Sequence, residues 1–153
     1  MPAGGIAIPA GTVIPANSTT VPAGTVTVIN GFTGIPTTNI GGIVPNNGFF
    51  TVPIAGRYVL AANVAFASVA TVAPTDVREL YIYRVDATTG LVTLLAVDTR
   101  APVAGVPTNV NIATVADLNA GDRIFVAALQ TNVPGAVVST VASVGRIAIT
   151  RTC

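Results

Sequence analysis

Residues 49–68, FFTVPIAGRYVLAANVAFAS, decide the fold class that the sequence predicts. From residue 57 onward the chain alternates between two sets of side chains. One face carries Tyr58, Leu60, Ala62, Val64 and Phe66, and the other carries Arg57, Val59, Ala61, Asn63, Ala65 and Ala67. A period of two over about ten residues is typical of a β-strand. Gly56 suits the tight corner that leads into it, so a long strand is predicted over 57–67.

Turn residues divide the rest of the chain into segments of strand length. Further strands are predicted at 25–30, 49–53, 77–85, 91–97, 109–118, 123–130 and 144–151. Asn30-Gly31 and Asn47-Gly48 favour tight turns, and residues 119–122 are predicted to form a hairpin turn. No segment shows the period of a helix. About eight strands at regular spacing predict an all-β protein built as an antiparallel β-sandwich.

The N-terminal region differs from the rest of the chain. No charged side chain precedes Arg57, and a Pro-Ala unit followed by β-prone residues recurs from Pro2, Pro9, Pro15 and Pro22. Proline at this spacing excludes a helix and a central strand. The sequence therefore predicts an extended N-terminal arm or connector, 1–24, and a β-sandwich domain, 25–153. The arm is either an irregular cover on the edge of its own domain or a connector that pairs with another subunit.

The composition predicts a surface that other subunits cover. Hydrophobic residues make up 51% of the chain and charged residues only 8%, whereas charged residues usually make up about a quarter of a globular chain. A surface this poor in charge suits burial against further copies. With a net charge of +1 and no lysine, neither nucleic acid nor an anionic membrane is expected as a partner. We see no Sec signal and no run of about 20 helical apolar residues.

Catalytic chemistry is poorly represented. The chain has no histidine and no lysine, which removes the usual general bases and Schiff-base nucleophiles, so neither an enzyme nor a cofactor is expected. Calcium takes about six to eight oxygen ligands. The candidates for such a site are Asp76, Glu79, Asp117 and Asp122. Ordinary pairing of these acids with the seven arginines is the favoured interpretation.

Contacts between subunits are predicted at two strands and at the C-terminus. Val59, Ala61 and Ala65 are small enough to let another copy approach the strand over 57–67 closely. Tyr81 and Tyr83 are assigned to the subunit contact as well, because tyrosine is favoured at interfaces. Cys153 is the only cysteine, so any disulfide that it forms must link two chains.

Three motifs resemble one family. The cluster formed by Phe50, Pro53, Gly56 and Tyr58 resembles the aromatic, Pro, Gly-x-Tyr signature of the globular head of complement component 1q. Residues 118–126, LNAGDRIFV, resemble the Leu-x-x-Gly-Asp-x-Val motif of that family. Residues 144–149, VGRIAI, are similar to its closing Gly-x-Leu strand, without the usual aromatic residues. The resemblance covers 25–151, and it implies a jelly roll shared with the tumour necrosis factor family and a tight homotrimer.

The charge-poor Val/Ala/Thr composition is also similar to that of jelly rolls on Bacillus spore surfaces, such as the exosporium. The resemblance therefore implies a non-enzymatic, homotrimeric structural subunit of a bacterial spore- or cell-surface assembly. Joining of trimers through the arm would build a fibre, and other spore-surface proteins would be further partners. The alternatives are a ligand-binding or adhesive tip module and a viral or phage capsid or decoration jelly roll.

Overall fold

The computed structural model describes residues 12–15, 19–30, 43, 45–131, 139–141 and 146–152. Within these ranges the chain contains twelve β-strands and no helix. The strands are β1 (Thr12–Pro15), β2 (Thr19–Val21), β3 (Thr27–Val28), β4 (Pro45–Asn46), β5 (Phe49–Thr51), β6 (Gly56–Phe66), β7 (Arg78–Val85), β8 (Val92–Arg100), β9 (Thr108–Leu118), β10 (Arg123–Gln130), β11 (Ser139–Val141) and β12 (Arg146–Arg151). Every pairing between these strands is antiparallel, as the sequence predicts.

The strands form two sheets. In sheet A, β6 lies at the centre, with β9 on one side and both β12 and β11 on the other. β1 pairs with the outer edge of β12, and β2 pairs with β11. Sheet B has the order β4-β5-β10-β7-β8, and β3 also pairs with β10. The described part of the chain is therefore an antiparallel sandwich in which β6 and β10 each hold the centre of one sheet.

The core lies between the two sheets and confirms the predicted facing of β6. Tyr58, Leu60, Val64 and Phe66 are each at most 2% exposed. They belong to one core cluster with a second set of buried apolar residues from sheet B, namely Leu80, Ile82, Ile124, Val126 and Ala128. Removing this apolar area from water is the main force that holds the sheets together.

One predicted hairpin is wrong. The turn at 119–122 is tight, since Asp122 N–H donates to Asn119 O at 3.1 Å. However, β9 before it pairs with β6 in sheet A, and β10 after it pairs with β7 in sheet B. The turn therefore carries the chain from one sheet to the other. Turn residues predict that the chain reverses, but they do not state which strand each flanking segment pairs with.

The predicted turn at Asn47-Gly48 is present. It connects β4 to β5, and both residues have positive φ, 50° and 83°, as a tight hairpin of this kind requires. A Cβ on Gly48 would lie 2.7 Å from the backbone oxygen of Ile29. Glycine is therefore needed at this position on two grounds, the backbone conformation and the close approach of another segment.

Strand β8 is longer than the predicted 91–97 and is irregular. Ala96 pairs with Ile82 and Leu94 with Tyr83, so Leu95 is the extra residue of a β-bulge. The bulge turns Leu95 and Ala96 toward the core, against which they pack.

Two strands lie inside the predicted arm, 1–24. β1 runs along β12, with Thr12 opposite Ile149, and β2 runs along β11, with Val21 opposite Ser139. Val21 is fully buried in the core. This pairing is that of a cover on the edge of the chain's own sheet. The division of the chain at residue 24 stays a prediction.

Candidate assembly surfaces

The outer face of sheet A is apolar and uncharged at its centre. Val59 lies opposite Val115, and Ala61 lies opposite both Ala113 and Ala148. Val115 is 57% exposed and Val59 is 36% exposed. We call this surface face A; it consists of Val59, Ala61, Ala113, Val115, Ala148 and Thr150. Since its side chains are small, a second protein surface could approach the backbone of the sheet closely.

A shallow depression runs across face A. It is lined mainly by Ala61, Ala113 and Ala148, together with the amide side chains Asn63 and Asn111. The depression contains no charged side chain. Its chemistry therefore suits an uncharged, largely aliphatic group from a partner.

One ion pair lies at the end of face A. Arg57 Nε lies 3.0 Å from Asp117 Oδ1, and Arg57 Nη2 donates to Asp117 Oδ2 at 3.3 Å. The hydrogen bond and the charge of Arg57 lower the pKa of Asp117, and those of Asp117 raise the pKa of Arg57. Because each charge neutralises the other, the border of face A adds no net charge to the surface.

The outer face of sheet B carries a row of aromatic rings. Phe49 and Phe125 have ring centroids 5.0 Å apart, Phe125 and Tyr83 5.0 Å, and Tyr83 and Tyr81 5.8 Å. The last two pairs are stacked, which is a favourable arrangement for neighbouring rings on a sheet. The guanidinium of Arg123 lies over the ring of Phe49, 5.0 Å from its centroid.

The aromatic row continues into exposed aliphatic residues on β8. Val97 lies opposite Tyr81, and Leu94 lies opposite Tyr83. They are 49% and 47% exposed. We call the combined surface face B; it consists of Phe49, Phe125, Tyr83, Tyr81, Leu94 and Val97. Its far corner is polar, because the Tyr81 hydroxyl donates to Glu79.

The five residues predicted to lie at a subunit contact are divided between these surfaces. Val59 and Ala61 lie on face A, and Tyr81 and Tyr83 lie on face B. Ala65 is 5% exposed within a single chain, so it offers little area to a partner. Burial and the hydrogen bond to Glu79 raise the pKa of Tyr81, which therefore stays neutral at ordinary pH.

The four candidate calcium ligands do not form one cluster. Asp122 is fully buried; its Oδ2 lies 2.8 Å from Arg84 Nε, and it also accepts the N–H groups of Ala87 and Asn119. Asp117 pairs with Arg57 at the border of face A. Within the ranges that the structure describes, no three acidic or cysteine side chains come together as metal ligands.

The two remaining candidates have local partners. Asp76 accepts the N–H of Ala73 at 2.7 Å, and Glu79 accepts hydrogen bonds from Tyr81 and Thr99. Asp117 and Asp122 thus make the predicted pairs with arginine, whereas Asp76 and Glu79 bond to other groups. Cys153 and residues 144–145 of the closing motif lie outside the described residues.

A buried polar pair is not among the site residues that the sequence predicts. Arg78 and Gln130 are both 0% exposed, and they lie opposite each other in the β7–β10 pairing. The available signal was the alternation of β7, which puts Arg78 on the same face as Leu80 and Ile82. A charged residue at an inward position of a strand indicates a buried polar contact.

No protein-family model matches the sequence. A protein of Acanthamoeba polyphaga mimivirus, uncharacterized protein L688, is 44% identical over 153 residues. The match covers 99% of this chain and 56% of the viral protein. The chain thus spans about half the length of the curated relative that it matches.

Solved structures resemble this chain at low sequence identity. The Eiger tumour necrosis factor of S. frugiperda superposes with a TM-score of 0.68 at 13% identity, covering 97% of this chain and 94% of that one. Murine APRIL at pH 8.0 superposes with a TM-score of 0.66 at 20% identity, covering 93% of this chain and 99% of that one. The globular domain of zebrafish complement 1qA superposes with a TM-score of 0.60 at 11% identity, covering 92% of this chain and 94% of that one. None of the described residues form a helix long and apolar enough to cross a membrane. The chain has the jelly-roll fold that tumour necrosis factors share with complement 1q heads.

Proposed function

We propose that the protein is a non-enzymatic structural subunit that forms a homotrimer and builds the surface of a larger particle. The observation that carries this proposal is face A, an exposed and uncharged aliphatic surface at the centre of a sheet. A soluble sheet that faces water normally alternates apolar residues inward with polar residues outward. Face A departs from that pattern, which supports burial against another copy.

Faces A and B fit a heterologous contact. They differ in chemistry, since face A is small and aliphatic and face B is aromatic with large aliphatic residues beside it. They also lie on opposite sheets of one molecule. When two different surfaces of identical subunits meet, the contact is heterologous and produces a closed ring if the rotation closes. Three copies are the ring size that the resemblance to the complement 1q head implies.

The area needed is large. An obligate interface buries about 2,000 Å² or more, and its core is rich in aromatic and aliphatic residues with few charges. Tyr81 and Tyr83 on face B and Val59 and Ala61 on face A have that character. The proposal therefore keeps these four predicted residues at the contact and assigns them to the two sides of it.

The mimivirus relative favours a virus particle as the setting. Among the settings that the sequence left open, it supports a viral capsid or decoration subunit over a bacterial spore surface or an adhesive tip. The likeness to spore-surface jelly rolls rested on composition and gains no support from these relatives. We therefore take the surface of a virus particle as the working hypothesis for localisation.

Two finer features belong to the same proposal. Residues 1–24 would connect one trimer to the next, and Cys153 would link chains through a disulfide. The pairing of β1 with β12 favours the alternative for residues 12–15, in which they cover the edge of their own sheet. Deleting residues 1–11 tests the connector without removing β1 from sheet A. Loss of filaments or higher assemblies, with trimers retained, would support the connector.

The central test compares two valines of similar exposure. Val115 on face A is 57% exposed, and Val26, which precedes β3 and lies outside both faces, is 50% exposed. Analytical ultracentrifugation of the parent protein should show trimers at low micromolar concentration. Val115→Asp should give monomers, because it places a charge in the contact, whereas Val26→Asp should stay trimeric. A monomeric parent, or a trimeric Val115→Asp variant, would contradict the proposal.

A further inference from the structure

A charged and an amide side chain are buried together at one end of the sandwich. Arg78 is the first residue of β7 and Gln130 is the last residue of β10, and each is 0% exposed. Both point into the space between the sheets, because Arg78 alternates with Leu80 and Gln130 with Ala128, which are fully buried. Neither residue belongs to face A or face B, so a ligand bound at this end of the sandwich would be independent of the proposed trimer.

The guanidinium of Arg78 is held in one orientation. Its Nη1 donates to Val77 O at 3.0 Å and to Thr131 O at 2.8 Å. The ring of Phe66, from the opposite sheet, lies 5.9 Å from the centre of the guanidinium. Two backbone carbonyls and one ring thus fix the plane of the group before any other partner binds.

The opposite edge of the guanidinium has no acceptor. Nε and Nη2 of Arg78 are buried, and neither makes a hydrogen bond to any part of the chain that the structure describes. These two nitrogens form the edge of the guanidinium that presents two parallel N–H groups. Such an edge donates two hydrogen bonds to the two oxygens of a carboxylate or phosphate. The unused edge is therefore the one suited to an oxyanion.

No carboxylate of the described chain neutralises Arg78. All six acidic side chains lie within the described ranges, and none comes within 4.0 Å of its nitrogens in an ion pair. Asp76 acts on it only through space: burial lowers the pKa of Arg78, and the charge of Asp76 offsets part of this. An arginine stays protonated in proteins, and a buried charge without a partner is costly.

Gln130, which lies opposite Arg78 in the strand pairing, adds one acceptor. Its Nε2 donates to Val21 O at 3.0 Å, which fixes which end of the amide is the oxygen. Its Oε1 is buried and receives no hydrogen bond from the described residues. The pair thus offers two N–H donors and one oxygen acceptor. A buried polar group without a partner in a native structure calls for an explanation, and an ion or a water that completes its hydrogen bonds is one.

We propose that Arg78 and Gln130 form a binding site for one small oxyanion that carries a proton, of which bicarbonate is the type. Two of its oxygens accept the N–H groups on Nε and Nη2 of Arg78. Its hydroxyl donates to Oε1 of Gln130. The bound anion neutralises Arg78, and through Gln130 it ties β7 and β10 to Val21 of β2, which comes from the N-terminal segment. Binding therefore stabilises the folded chain and the attachment of β2.

The test is thermal unfolding of the full chain at fixed pH and ionic strength, with bicarbonate replacing chloride. A ligand that binds only the folded state raises the melting temperature in a saturable way. Bicarbonate should produce such a rise. Acetate, which matches the two N–H donors but brings no hydroxyl at neutral pH, should need a concentration at least several-fold higher. A rise that does not saturate, or one that chloride matches, would overturn the proposal.

Three variants locate the effect. Arg78→Lys keeps the charge but loses the paired N–H edge, so its response to bicarbonate should vanish. Arg57→Lys is the matched control, because Arg57 is exposed and paired, and it should respond like the parent. Gln130→Met should remove the preference for bicarbonate over acetate. An unchanged response in Arg78→Lys would overturn the site.

A direct measurement covers the case in which Arg78→Lys fails to fold. The ¹³C resonance of labelled bicarbonate, followed at rising concentrations of the parent protein, should broaden in proportion to the bound fraction. Unlabelled bicarbonate should reverse the broadening by competition. No broadening with the folded parent at millimolar bicarbonate would refute the site whatever the variants do.

Discussion

The two faces of β6 show what one chain can bury and what it leaves for a partner. The inner face carries Tyr58, Leu60, Val64 and Phe66, and sheet B covers all four. The outer face carries small residues, of which Val59 is 36% exposed and Ala61 partly buried. Both faces carry apolar residues, but on the outer face Val59 stays exposed and Ala61 partly exposed, and only Ala65 is buried. Folding thus needs one face, and the other is available for assembly.

The size of the side chains explains the difference. Large residues fill the space of about 10 Å between two packed sheets. Alanine and valine on the outer face leave the backbone within reach of a partner, so another subunit could pack against it closely. A substitution on the inner face should therefore lower stability, and one on the outer face should lower association.

The largest effect is expected for Val64→Asp. Val64 is 2% exposed in the core, and a carboxylate there would be buried without a partner. The free energy of unfolding should fall by about 4 kcal/mol, the scale of the most damaging single substitutions. Urea denaturation followed by circular dichroism measures this. Val26→Asp, at a residue that is 50% exposed and lies outside both faces, is the control, and it should unfold near the parent. A parent-like Val64→Asp would show that the two faces are assigned the wrong way round.

A smaller loss is expected for Asp122→Ala at the corner between the two sheets. The substitution removes the carboxylate that lies 2.8 Å from Arg84 Nε and that accepts two backbone N–H groups. Arg84 is 24% exposed, so water recovers part of the lost interaction. The free energy of unfolding should fall by about 2 kcal/mol. Asp117→Ala, in the exposed pair of face A, should cost much less. Equal losses for the two variants would contradict the contrast between buried and exposed pairs.

A smaller effect on folding, with a large one on association, is expected for Leu94→Glu on face B. Leu94 is 47% exposed, so the free energy of unfolding of the isolated subunit should change by no more than about 0.5 kcal/mol. The charge should still break the proposed trimer. Sedimentation and thermal unfolding at the same protein concentration separate the two effects. Leu91→Glu, in the turn before β8, is a control with an exposure of 65%. If Leu94→Glu stays trimeric, face B lies outside the contact.

The sequence was sufficient for the facing of β6 and for the fold class, because hydrophobic alternation reports burial directly. It failed at residues 119–122, since a turn motif says nothing of the strands that its neighbours pair with. It indicated no strand at β4 or β11, and it marked the segments of β1 and β2 only as β-prone pieces of the arm. These strands are at most four residues long, too short to show a period, and proline in β1 and β4 argued against a strand.

The candidate site was harder to predict than the fold. Asp76, Glu79, Asp117 and Asp122 are close in sequence as two pairs, but the members of each pair point to different partners. Arg78 and Gln130 are 52 positions apart, and only the β7–β10 register brings them together. Sequence patterns describe one strand at a time, so a contact between strands becomes visible only once their pairing is known.

The smallest effect concerns the exposed pair at the end of face A. Arg57 lowers the pKa of Asp117, first through its hydrogen bond and then through its charge. A carboxyl whose pKa is lowered by folding adds stability above its unfolded pKa, which is about 3.9, and loses it as the pH falls through the folded value. Because both side chains are exposed, water and salt screen the pair, so the contribution should be slight and should shrink further at high salt. Nuclear magnetic resonance of the Asp117 carboxyl against pH should show a lowered pKa in the parent and a return to the ordinary value in Arg57→Ala. If Asp117 titrates at the ordinary value in the parent, the pair with Arg57 does not form in solution, and the prediction is wrong.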